Sequence, residues 1–317
     1  MSCFRNIRTL LRDTLAGPRN GKNDDDDAEA VRVRNDCFLA LSNAFETLER
    51  SHKPKVSSSL AKELQVSVRH LILDQDDTDR IPKEVFCQPY DMDRLKSLRS
   101  DIQNRVTRES LQMESSSWES AERDSTEAAA FLHCNLLHAF AGYDLVWPDR
   151  SRAEPLPGSC RMADHGYDDD ILLPRYESFG YATDSPVTPW PVDIREAYVS
   201  QDDKPHVFIP LTHHCLPSQP LLRAELMLIL GITLTRLKVA TLKRHLIIPI
   251  MVLSCFREYT ARLLQAYMTS DGLVVLKSDI YDFFPARDRP GFTQLFLSHM
   301  ASTPSGDTTA LTYTLPA

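Results

Sequence analysis

Three observations in the 317-residue sequence predict an α+β protein: a mainly helical N-terminal half, then a C-terminal helix, a three-stranded antiparallel meander and a closing helix. Up to about residue 141, apolar residues recur every three or four positions, the spacing of helices with one buried face. After about residue 206 the pattern changes to short runs rich in β-branched residues, punctuated by turn signals such as Asp271-Gly272. Between them, from 147 to 205, repeated prolines from Pro148 to Pro205 exclude long helices.

The chain opens with MSCFRNIRTLLRDTLAG, where Phe4, Ile7, Leu11 and Leu15 fall on one helical face and Arg5, Arg8 and Arg12 on another. No uninterrupted apolar stretch marks it as a secretory signal. The pattern fits a surface helix; it is also compatible with a mitochondrial transit peptide, interrupted by Asp13. PRNGKNDDDDAEA follows, and four adjacent carboxylates, Asp24 to Asp27, repel one another as in a solvated linker. These segments make up residues 1–30.

Residues 31–146 form the helical region. Phe38, Leu41, Phe45 and Leu48 mark one helix, and Leu60, Leu64, Val68 and Leu71 mark a second over Ser59 to Leu73. Asp91 to Leu111 reads as a charged third helix. Ser125 to Ala141 is a fourth, with Ala129, Leu132, Leu136 and Phe140 facing inward. Residues 147–205 are an irregular connection, with short strands expected at Ile171–Tyr176 and Ala197–Ser200.

Residues 206–301 form the α+β module. His206 to Leu211 is a β-like run stopped by LPSQP, and Pro220 opens a helix reaching about Lys243 with Leu222, Leu226, Ile229, Leu230, Thr233 and Leu237 in its apolar stripe. LIIPIMVLSCF is a strand whose Pro249 belongs at a sheet edge or a strand start. ARLLQAYM and LVVLKSDIY complete the meander, and a helix from about Pro290 to Met300 closes the layer. The tail, 302–317, is polar.

Composition narrows the function classes. Hydrophobic residues at 42% and charged residues at 25% supply a real core and exclude a chain disordered throughout. A formal net charge of −8 argues against a nucleic-acid partner, which calls for a basic face. Seven widely spaced cysteines without a CxxC pair suit reduced thiols in the cytoplasm or nucleus. The longest uncharged apolar run, Leu246 to Phe256, is too short to cross a membrane.

From Leu222 to about Asp307 the chain resembles a family of uncharacterised filamentous-fungal proteins, through LRAEL, IIPIMVLSCF, ARLLQAY, LVVLKSDIYDF and TPSGDT. The resemblance implies a fungal, non-secreted protein with no agreed activity, in some cases accessory to secondary metabolism. A helix, three antiparallel strands and a helix also resemble the restriction-endonuclease-like core. That likeness implies an Asp on one strand and Glu-x-Lys on the next, holding Mg²⁺ and orienting water. Glu225, Gln265, Asp271 and Lys277 are the matching candidates, but Val275 stands two before Lys277 where an acid belongs. Read structurally, Glu225 pairs with the neighbours of Arg223 or the next strand, and Lys277 with Asp279 or solvent.

The candidate zinc ligands are His206, His213, His214 and Cys215, whose imidazoles and thiol suit that ion. Adjacent histidines on a strand point to opposite faces, which favours separate roles. His133 and His138 sit about 140° apart on a helix, away from the HExxH geometry. ADHGYDDD, Ala163 to Asp170, lacks the alternating ligands of an EF-hand and reads as a solvated loop. Lys238, Lys243, Arg244 and His245 complement a helix C-terminus. Walker, dinucleotide and nucleophile-elbow motifs are missing.

The reading is a non-catalytic or degenerate module that binds a protein or small-molecule partner, with no cofactor expected and a divalent metal left open. The alternatives are a metal-dependent phosphodiesterase or nuclease-like enzyme around Glu225, Gln265, Asp271 and Lys277, and a zinc-dependent hydrolase around His206, His213, His214 and Cys215.

Overall fold

The computed structural model describes residues 23–51, 53–73, 86–91, 127–141, 161–166, 169–176, 192–194, 196–284 and 291–311. In chain order its helices are α1 (Asn23–Glu49), α2 (Ser58–Glu63), α3 (Glu127–Ala141), α4 (Arg223–Arg236) and α5 (Gly291–Met300). Its strands are β1 (Val66–His70), β2 (Cys87–Gln88), β3 (Met162–Asp164), β4 (Val192–Asp193), β5 (Tyr198–Ser200), β6 (Val207–His213), β7 (Ile250–Phe256), β8 (Thr260–Thr269), β9 (Gly272–Lys277), β10 (Tyr281–Asp282) and β11 (Thr303–Pro304).

Nine of these strands form one mixed sheet in the order β1-β9-β8-β7-β6-β5-β3, with β10 also on β8 and β4 also on β6. This overturns the expected division into a helical N-terminal half and a three-stranded module. β7, β8 and β9 are antiparallel neighbours at the centre of a larger sheet. β6 joins β7 in parallel, and β1, from the expected helical region, joins β9 in parallel. Parallel neighbours need crossovers, and α4 supplies the one between β6 and β7. β2 and β11 pair separately.

Strand alternation assigns the layers. Ser254 of β7 and Arg262 of β8 are register partners on the α4 side. Thr212 and Cys255 lie on the opposite side, where His133 of α3 meets Thr212 at 2.6 Å. α5 covers this second side too, with Phe296 packed edge-on to Tyr281 and Phe283. Helices on both faces explain why β6, β7 and β8 are buried at every residue. One apolar core runs from Val33, Leu41 and Leu48 of α1 through the sheet to Phe296 and Leu297.

α1 lies outside α4, and arginines lock the two helices reciprocally. Arg34 of α1 donates to the carbonyls of Leu237, at 2.8 Å, and Leu242, at 2.9 Å, beyond the C-terminus of α4. Arg223, at the start of α4, donates to Leu48, at 2.7 Å, and Glu49, at 3.2 Å, at the end of α1. Each guanidinium thus satisfies carbonyls that a helix terminus leaves unpaired.

Local expectations are corrected in four places. Ser59 to Leu73 is not one helix: Gln65 takes φ 54°, and the chain then extends into β1 to pair with β9. Asp24 to Asp27 lie within α1 and not in a linker. Ile171–Tyr176 is a turn and a 3₁₀ segment rather than a strand. α4 ends at Arg236 instead of Lys243. Pro249 directly precedes β7, so of its two expected places it takes the strand start and not the sheet edge. Most of Asp91 to Leu111, and the transit-like N-terminus, lie outside the described residues. Among the described residues no helix is long and apolar enough to cross a membrane.

Gly272 shows how tightly β1 and the β8–β9 hairpin are joined. Its φ is +130°, and a Cβ there would sit 2.2 Å from the Gln65 carbonyl oxygen. That carbonyl accepts the Leu273 amide at 3.1 Å, so it cannot withdraw without loosening the pair. Gly272→Ala is expected to lower stability by about 2 kcal/mol in urea unfolding. Gly166→Ala, at φ +67° with nothing within 4 Å, is expected to lose only about half as much.

Candidate functional site

The carboxyl ends of β6 and β7 meet the N-terminus of α4, the position where open α/β sheets place ligand sites. At this point the structure buries a group of polar side chains. Glu225, in the first turn of α4, has no exposed surface, and neither has Arg262 of β8. The Arg262 guanidinium grips the carboxylate with two nitrogens, Nε donating to Oε1 at 2.8 Å and Nη2 donating to Oε2. Ser254 Oγ donates to Oε1 at 2.8 Å, and the Leu222 amide donates to Oε2 at 2.8 Å. The remaining Arg262 donors reach the carbonyls of Ser218, at 2.8 Å, Gln219, at 3.1 Å, and Pro220, at 3.2 Å. One side chain on a central strand therefore fixes both the carboxylate and the loop leading into α4.

His213, at the end of β6, completes the group. Its ring stacks on Phe256 at 4.7 Å with the planes 9° apart, and Arg262 lies 5.3 Å from the same Phe256 ring. Its Nε2 stands 4.0 Å from Glu225 Oε1, too far for a hydrogen bond. Burial lowers the His213 pKa to about 4 against the pull of Glu225, so the ring is neutral at pH 7 and the approach is not an ion pair. Burial alone would push the Glu225 carboxyl up. The charge and hydrogen bonds of Arg262, with smaller help from His213 and the Leu222 amide, hold it below the ordinary glutamate range. Cys215 is buried, and burial with the nearby Glu225 charge pushes its thiol up to about 11. It is a protonated thiol, unsuited to act as a nucleophile at neutral pH.

The four nuclease-type candidates do not converge. Glu225 faces the sheet, and Lys277 lies on the same side because its register partner is Leu264, two residues from Arg262. Burial, then the Arg262 charge, lowers the Lys277 pKa, while Glu225 and Asp279 pull the other way. Gln265 pairs with Met251 and Leu276 and so points to the α3 and α5 side. Asp271 is exposed in the β8–β9 turn, at the far end of β9 from Lys277, about 20 Å along the strand. Only Glu225 and Lys277 share surroundings.

The zinc candidates are also separated. His206 precedes β6 and His213 ends it, about 20 Å away. His206 Nε2 donates to the carbonyls of Phe86, at 2.8 Å, and Ser305, at 3.1 Å, tying the β2–β11 pair to the main sheet. Among the described residues no group of three or more His, Cys, Asp or Glu side chains is placed to hold a metal ion.

Arg262 and Ser254 did not emerge from the sequence motifs. The signal for Arg262 was an arginine inside the apolar run ARLLQAY, because a charge on a strand buried on both faces requires a partner. Comparison with protein-family models, curated proteins and solved structures finds no match to this chain.

Proposed function

We propose that the chain is a binding module built on a catalytically degenerate core, taking a protein or small-molecule partner rather than turning over a substrate. The observation that carries this reading is the saturation of Glu225. A carboxylate serving a catalytic divalent cation needs oxygen lone pairs directed into an accessible site, next to at least one more anionic ligand. Here both Glu225 oxygens already accept two hydrogen bonds each, and the strand neighbour is the cation Arg262. Arg262 neutralises the charge that would attract Mg²⁺ and fills the space beside it. Val275 stands where the second acid of a Glu-x-Lys strand would be. A second reading, a metal-dependent phosphodiesterase, draws on the shared face of Glu225 and Lys277.

Thermal unfolding with Mg²⁺, Mn²⁺ or Zn²⁺ separates them. The midpoint is expected to stay within about 1 °C of the metal-free value. A specific site held at about a hundred times its dissociation constant would add roughly 2.7 kcal/mol. That corresponds to a rise of about 5 °C or more in a chain of this size. Such a rise, abolished by Glu225→Gln, would replace the binding-module reading with the enzyme.

A further inference from the structure

Among the described residues β1 ends the nine-stranded sheet. Its neighbour β9 is buried except at Lys277, whereas Ser67, Val68, Arg69 and His70 of β1 are all exposed. Successive strand residues point to opposite faces, so exposure at both odd and even positions leaves β1 open above and below. Its outer main-chain groups follow from the bonds at its ends. The Leu273 amide donates to the Gln65 carbonyl at 3.1 Å, and the Leu71 amide donates to the Lys277 carbonyl at 2.9 Å. Bonded residues alternate along a parallel ladder, so odd-numbered residues face β9 and Val66, Val68 and His70 direct N–H and C=O outward.

We propose that β1 is a self-association edge at which two copies of this chain pair antiparallel about a two-fold axis at Val68. The register follows from three constraints. A two-fold axis at Ser67 would pair Val66 with Val68 and leave His70 without a strand partner, and one at Arg69 would oppose Arg69 to Arg69 and leave Val66 without one. An axis at Val66 would draw in Gln65, which has left-handed backbone with φ 54°. An axis at His70 would leave only that residue of the strand overlapped. The axis at Val68, the middle residue of β1, overlaps the whole strand and uses every outward group, for about six main-chain hydrogen bonds. It also opposes Val68 to Val68, Val66 to His70 and Ser67 to Arg69, so no like charges face each other across the pair. An isologous contact of this kind closes on itself and does not propagate. This inference does not depend on the state of the Glu225 site. A single short strand pair buries less than the ~1,200–2,000 Å² of a stable interface, so the dimer is weak, with a dissociation constant of roughly 10–100 μM.

Sedimentation velocity of the full chain from about 1 to 200 μM is expected to show the mass rising toward that of a dimer. Val68→Pro removes an amide hydrogen on the outward side and spares the β9 ladder, so the fold persists and the dimer is lost. Val68→Lys, which opposes two ammonium groups on the axis, carries the test if the proline variant does not fold; it is expected to weaken association about tenfold. Chains carrying Ser67→Cys and Arg69→Cys are expected to form a 67–69 disulfide when mixed and none when oxidised separately. A monomer throughout, a dimer indifferent to Val68→Lys, or no 67–69 cross-link in the mixture would each overturn the proposal. Slow exchange of the Val68 amide in a monomeric chain would overturn it as well, by showing that the chain covers its own edge.

Discussion

Replacing Arg262 with methionine is expected to cost about 3–5 kcal/mol of stability, the range for removing one partner of a buried ion pair. Methionine fills most of the volume but leaves Glu225 with only the Ser254 hydroxyl and the Leu222 amide. The carbonyls of Ser218, Gln219 and Pro220 lose their donors together, so the loop entering α4 loosens as well. Equilibrium urea unfolding would read this as a lower midpoint with little change in slope, and thermal unfolding as a drop of roughly 5–8 °C. The double variant Glu225→Gln with Arg262→Met removes the orphaned charge. It is expected to be more stable than Arg262→Met alone, with a coupling of about 2 kcal/mol. An Arg262→Met chain within about 1 kcal/mol of the parent would show that the pair is solvated, and the argument from a saturated carboxylate would fail with it.

The same pair shows which features were legible in the sequence. Runs such as LIIPIMVLSCF and ARLLQAYM declared themselves as strands through β-branched and apolar content; ARLLQAYM lies within β8, while LIIPIMVLSCF ends with β7 at Phe256 but starts four residues before it. α3 was legible from its period, and the four residues expected inward are buried. What escaped was pairing. β1 looked helical because Leu60, Leu64, Val68 and Leu71 keep a spacing of three and four. Only the long-range partner β9 and the left-handed Gln65 show that the periodicity stops at Leu64. A strand recruited across some two hundred residues of chain leaves no local mark, which is why the sheet seemed to be three strands wide. At the candidate site, Glu225 stood out only through the likeness to an endonuclease-like core, while Arg262 passed as an ordinary residue of a strand. Burial on both faces makes that arginine significant, and burial on both faces is a property of the layers above and below it.

Acidification from pH 7.5 to about 4.5 is expected to remove about 5 kcal/mol of stability through His206 and His213. Both are buried, at 2% and 1% exposure, and burial lowers both pKa values to about 4, against about 6.5 for an unfolded histidine. With the folded value below the unfolded one, the unfolded chain binds more protons between those limits, so stability falls as pH falls through that window. At pH 4.5 each ring contributes about 2.5 kcal/mol of this loss, and above about pH 7 the penalty is absent. Geometry gives the reason. His206 Nε2–H is spent on two carbonyls, and among the described residues its Nδ1 has no partner to receive a second proton's N–H. His213 Nε2 likewise has no hydrogen-bond partner, and the nearest carboxylate is held by Arg262. His299 and His245 shift in the same direction for the same first cause, burial, and steepen the slope. Glu225, held below its ordinary range, adds its own loss only at still lower pH, as it protonates. Against a typical total of about 5–15 kcal/mol, the histidine effect alone brings the chain close to unfolding near pH 4.5. Urea midpoints measured across this range would show it, and His213→Phe, which keeps a ring on Phe256 but cannot titrate, is expected to remove its own share of the loss, about 2.5 kcal/mol. A parent midpoint that stays level between pH 7 and 5 would place both rings in contact with water, in conflict with the burial that organises the carboxyl end of β6.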